Sequence, residues 1–114
     1  EYIVASNYEG KKIFLFDKDN STPLWNYTTG SDVTTVAISA DGEYIVAGSY
    51  NDKTYIFDKD SNSPFWSYDI GDYASVAISA DGEYIVSVSS NSNDMVYLFK
   101  KDSSTLLWKY ATGG

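Results

Sequence analysis

The chain has 114 residues, with 16 acidic side chains against 8 lysines and no arginine, histidine or cysteine. That length suits one domain, and the missing cysteines and histidines exclude a disulfide scaffold, thiolate nucleophiles, the HExxH zinc motif and every imidazole acid or base. A formal charge of −8 without arginine argues against nucleic-acid partners, and no apolar run approaches the ~18 residues of a membrane helix, so membrane insertion is not expected either.

Aromatic residues make up 17% of the chain, eleven of them tyrosine. Aromatic and β-branched side chains suit pleated, half-buried surfaces, so the composition leans all-β. The order of the elements shows why. Glu1 opens a segment, EYIVASN, that returns at Glu43 and Glu83 as EYIVAGS and EYIVSVS. Next comes IFLFDKDNSTPLWNYTTG from Ile13, with counterparts TYIFDKDSNSPFWSYDIG from Thr54 and VYLFKKDSSTLLWKYATG from Val96. The run VAISADGEYIV over 36–46 recurs unchanged over 76–86, a period of 40. Trp25, Trp66 and Trp108 lie 41 and 42 residues apart. The chain is a tandem repeat, with blade-like copies at 1–31 (incomplete), 32–71 and 72–114.

Each unit resolves into four short strands, exemplified in the third copy by 76–79, 84–88, 96–99 and 107–110. Asp-Gly between the first two is a hairpin signal, with Gly42 and Gly82 supplying positive φ. Four strands per unit of about 40–45 residues is the pattern of a β-propeller blade. The first copy lacks its VAISADG strand, so eleven strands are expected in an open sector of about three blades.

The stretch VAISADGEYIVAGSYNDKTYIFD resembles a WD-repeat blade, although it has no histidine and reads Phe-Asp where Trp-Asp is usual. The stretch FDKDNSTPLWNYTTG resembles the tryptophan-docking motif of quinoprotein-type propellers. Asp17 precedes Trp25 by eight residues, as Asp58 precedes Trp66, while Lys100 replaces the aspartate in the third copy. The resemblance implies an all-β propeller fold, with Trp25, Trp66 and Trp108 packed between neighbouring blades. It does not imply an activity, because propellers host unrelated functions.

Three blades do not close a ring, since rings usually take about four to eight. Two expectations follow: the chain is a fragment of a longer propeller, or it self-associates, most simply as a dimer of six blades.

Candidate sites are few. Asp17, Asp19 and Ser21, with Asp58 and Asp60, alternate as calcium-ligating loops do, but the EF-hand glycine and terminal glutamate are missing and Lys18 and Lys59 interrupt the runs. Asx hydrogen bonds shaping the turn are the favoured reading, and the repetition argues against a glycosidase carboxylate pair, which is assembled once. Tyr2, Tyr44 and Tyr84 share one repeat position, as do Phe14, Tyr55 and Tyr97, which favours packing over a sugar platform. Loop length varies in only two places. The connection from second to third strand has three lengths (around 7–12, 49–53 and 89–94), and that from fourth to first has two (28–35, 69–75). Both emerge on one face of an up-and-down blade, and loops on a rigid scaffold are where binding concentrates. Tyr8, Tyr50, Asp52, Asp72, Tyr73 and Asp94 lie there as an acidic, tyrosine-containing surface.

The expected function is a non-catalytic scaffold for a protein partner or for itself, without cofactor or metal. A carbohydrate-binding propeller and part of a quinoprotein-like enzyme are the alternatives. The sequons Asn20-Ser21-Thr22 and Asn26-Tyr27-Thr28, and a composition similar to that of prokaryotic surface propellers, lean towards an extracellular or cell-surface location.

Overall fold

Runs of alternating apolar residues, punctuated by Asp-Gly and Asp-Lys-Asp turns, fold into eleven strands in a computed structural model of the chain. It describes residues 1–7, 9–50, 53–70, 74–89, 95–103 and 105–112. The first copy forms a three-stranded sheet of β1 (Tyr2–Asn7), β2 (Lys12–Asp17) and β3 (Trp25–Thr28). The second forms β4 (Val33–Ile38), β5 (Tyr44–Ser49), β6 (Lys53–Asp58) and β7 (Trp66–Asp69), and the third forms β8 (Ala74–Ile78), β9 (Tyr84–Ser89), β10 (Met95–Lys100) and β11 (Leu106–Ala111). Every pairing is antiparallel between strands consecutive in the chain. No helix occurs among the described residues.

The first strand of the third copy begins two residues earlier than its apolar run suggests. Ala74 pairs with Ser89, and its carbonyl accepts the Thr34 hydroxyl at 2.6 Å from the neighbouring sheet. Thr34 stands at a register shift in β4, and such a bulge re-aims a side chain.

Sheets stack face to face, and the core lies between them. Ile13 and Leu15 of the first sheet pack with Ile45, Ala47 and Phe57 of the second. Val46 and Ile56 of the second pack with Ile85, Tyr97 and Phe99 of the third. The middle sheet is therefore buried on both faces, and β5 and β6 are buried at successive positions where their counterparts β9 and β10 alternate. Val46 and Val86 occupy the same place in an identical eleven-residue run, yet Val46 is buried and Val86 only partly so. Gly48 marks the closest approach. A Cβ there would lie 2.6 Å from the Ala74 carbonyl oxygen, which is why a strand interior carries glycine. The three sheets form an open sector 44 × 30 × 20 Å.

Candidate interaction surfaces

One face of the sector is built from turns that repeat atom for atom. Asp41 Oδ1 accepts the Ser39 hydroxyl (2.6 Å) and the Glu43 amide (3.0 Å), and the Tyr44 amide donates to Ser39 Oγ (3.1 Å). Asp81, Ser79, Glu83 and Tyr84 repeat this network at 2.7, 3.0 and 3.0 Å. These bonds hold both carboxyls below the usual aspartate range, the Ser39 bond leading at Asp41 and the Glu83 amide at Asp81. Gly42 and Gly82 have φ of 74° and 76°, and a Cβ on either would press on the ring of Tyr2 or Tyr44. The Asp-Lys-Asp segments are Asx turns. Asp17 accepts the Asp19 amide at 3.0 Å, Asp58 accepts the Asp60 amide at 2.9 Å, and Lys18 and Lys59 pair with Asp19 and Asp60. Each carboxylate is thus occupied by the turn it shapes, and no metal-ligating group of three or more acidic residues occurs among the described residues.

The opposite face carries the connections of varying length. Of the six residues singled out there, Tyr8, Asp52, Asp72, Tyr73 and Asp94 lie outside the described residues. Tyr50 follows β5 with its side chain exposed (41%), while its amide donates to the Asp32 carbonyl at 2.9 Å. That bond ties a second-to-third connection to a fourth-to-first connection, so the two variable segments share one backbone anchor. Lys11, on the same face, adopts φ of 60°, the one positive value at a non-glycine residue among those described.

A third surface, between the sheets, is built the same way twice. Trp25 lies on Phe57 with ring centroids 5.3 Å apart, and its Nε1 donates to the Lys59 carbonyl at 2.8 Å. Trp66 lies on Phe99 at 5.0 Å and donates to the Lys101 carbonyl at 2.8 Å. Two positions further on, Tyr27 meets Phe57 edge-on and Tyr55 at a tilt, and Tyr68 meets Phe99 and Tyr97 in the same two ways. Trp108 departs from the series. Trp108 is 51% exposed and Tyr110 65% exposed, and no sheet among the described residues packs over them.

Lysines complete this junction; the sequence reading placed Lys59 in a turn and did not anticipate its contact with a tyrosine of the neighbouring sheet. Lys59 Nζ lies 5.3 Å from the Tyr2 ring centroid, and Lys101 Nζ 4.4 Å from that of Tyr44. Lys101 also donates to the Tyr44 hydroxyl (3.1 Å) and pairs with Glu83 (3.2 Å); these partners raise its pKa, Tyr44 foremost. The sequence signal was a lysine at one repeat position set 57 residues beyond a tyrosine, twice.

The WD40 family model (WD domain, G-beta repeat) matches residues 21–58, spanning β3, the last strand of the first sheet, and β4, β5 and β6, the first three of the second. A chain of the crystal structure of the mitotic checkpoint complex superposes with a TM-score of 0.86 at 14% identity. The chain is a β-propeller repeat protein. The superposition covers 98% of the propeller sector and 36% of the solved chain, so the sector spans about a third of that length. In all, 679 solved chains match, a breadth that defines architecture rather than purpose. No curated sequence matches.

Proposed function

We propose that the propeller sector is a non-catalytic scaffold that binds a protein partner on its variable-loop face. Tyr8, Tyr50, Asp52, Asp72, Tyr73 and Asp94 form the contact surface in this reading. The observation that carries it is Tyr50, an exposed aromatic side chain on an anchored backbone beside Asp32, at the face where loop length varies. The propeller fold and the WD40 match support a protein-interaction scaffold in general. Three aspartates among the six, on a chain of charge −8, select a partner segment rich in lysine and arginine.

Titration of the chain with equal-length Lys/Arg-rich and Glu-rich peptides, each carrying one aromatic residue, tests the reading. The basic peptide binds, loses affinity with salt, and binds at least about tenfold more weakly to Tyr50→Ala, whose urea midpoint stays unchanged. Basic-peptide binding that ignores both Tyr50→Ala and Asp72→Asn, or no binding, overturns it. Binding on a glycan array lost in Tyr50→Ala favours the carbohydrate-binding alternative instead.

A second reading stands beside the first: the sector associates with itself. Trp108 and Tyr110 favour it, since they are exposed at positions whose counterparts are covered by a neighbouring sheet.

A further inference from the structure

Nearly identical sheets in one chain raise a problem of order. Trp25 on Phe57 and Trp66 on Phe99, each indole donating to a lysine carbonyl, hold the two internal junctions with one set of contacts. Those contacts alone would seat the first sheet on the third as readily as on the second. Mispairing between like units is a characteristic failure of repeat chains.

The two junctions differ at two places. Ile13 on β2 and Thr54 on β6 hold one repeat position, as do Ala47 on β5 and Ser87 on β9. At the first junction Ile13 and Ala47 are buried in one apolar cluster. At the second, Thr54 and Ser87 are fully buried and their hydroxyls lie 2.7 Å apart, so each satisfies the other. The other difference is one of shape. Ser6 on β1 and Gly48 on β5 share a register, paired with Ile13 and Thr54 respectively. Ser6 is exposed, whereas Gly48 is buried against Ala74. A Cβ at Gly48 would stand 2.6 Å from the Ala74 carbonyl oxygen and 2.8 Å from the Ala74 Cβ.

We propose that these two positions key the order of the sheets, so that the third sheet accepts the second and refuses the first. Seating the first sheet on the third would set Ile13 against Ser87 and bury a hydroxyl without a partner. It would also drive Ser6 into the Ala74 backbone, a contact at Cβ that no side-chain rotation relieves. Stranding one buried hydroxyl disfavours a pairing by about tenfold to a hundredfold. Between copies, a second sheet seated on another second sheet would strand Thr54 against Ala47 in the same way. The hydroxyl pair thus acts as a label, satisfied by one neighbour only, in a junction whose other contacts fit either sheet.

The label can be copied. Ser6→Gly with Ile13→Thr gives the first sheet the face of the second, and Ala47→Ser keeps the first junction satisfied. Cross-linking reads the order, because the chain has no cysteine of its own. Phe65 and Asp102 line one cleft at the second junction, so Phe65→Cys with Asp102→Cys reports native order. Leu24 holds the repeat position of Phe65, so Leu24→Cys with Asp102→Cys reports the first sheet seated on the third. Each chain is refolded from urea by dilution and treated with a short bis-maleimide. With the native key the Phe65 pair is expected to cross-link and the Leu24 pair to stay free, within and between copies. With the copied key the Leu24 cross-link rises by at least about tenfold. A Leu24 cross-link that is equal with either key overturns the proposal. Thr54→Ile provides a second measurement, since it places the mispaired Ile and Ser at the native junction. It lowers the folding equilibrium constant at least about tenfold, and adding Ser87→Ala recovers most of that loss. Absence of that recovery overturns the key even if the copied variant fails to fold.

Discussion

Replacing Trp66 by alanine separates a residue that holds two sheets together from one that faces outward. Trp66 is partly buried, stacks on Phe99 at 5.0 Å and donates to the Lys101 carbonyl at 2.8 Å. Truncating a core tryptophan costs about 3–5 kcal/mol, and the partial exposure of Trp66 places it near the lower end, about 3 kcal/mol. Loss of the hydrogen bond adds about 1 kcal/mol, because the Lys101 carbonyl loses its donor in the remaining junction. The sum, about 4 kcal/mol, is a large part of the roughly 5–15 kcal/mol that stabilises a domain. With a urea dependence of about 1.5 kcal/mol per molar, the midpoint falls by more than about 2 M. Trp66→Phe keeps a ring on Phe99 and loses the donor, so it costs about 1–2 kcal/mol. Trp108→Ala, measured at a dilution where the chain is monomeric, costs at most about 0.5 kcal/mol. Urea unfolding followed by circular dichroism gives all three values. Equal losses at Trp66 and Trp108 would refute docking between sheets as the source of the energy.

Two further outcomes follow from named contacts. The Thr54 and Ser87 hydroxyls are 2.7 Å apart and buried between the second and third sheets, where the first junction has Ile13 and Ala47 instead. Thr54→Val alone costs about 1–3 kcal/mol by stranding the Ser87 hydroxyl, and adding Ser87→Ala recovers most of it; a double-mutant cycle with no coupling contradicts this. Asp41 and Asp81 have lowered pKa values, so their contribution is present above the unfolded aspartate pKa and is lost as pH falls through the folded value. The stability gap between the unaltered chain and Asp81→Asn is widest at neutral pH and closes in acid, whereas a gap independent of pH contradicts the hydrogen-bond cause.

The strands and hairpins were legible in the sequence because their causes are local. Asp-Gly needs positive φ at Gly42 and Gly82, Ser-x-Asp closes its own turn, and Asp17 and Asp58 bond amides two residues on. These interactions recur wherever the letters recur, which is why copies of one motif could be laid out as sheets before any contact was known. Side-chain surroundings do not recur in that way. Val46 and Val86 stand in identical eleven-residue runs, and only Val46 is enclosed, because a sheet lies on each side of β5. Trp66 and Trp108 are equivalent in sequence, and only Trp66 has a phenylalanine and a lysine carbonyl to meet. The lysines that grip Tyr2 and Tyr44 and the Thr54–Ser87 pair join residues 33 to 57 apart, so no short window contains both partners. Turn chemistry written in a few adjacent residues thus settled the strands of each blade, and stacking settled which of their equivalent residues became core, junction or exposed surface.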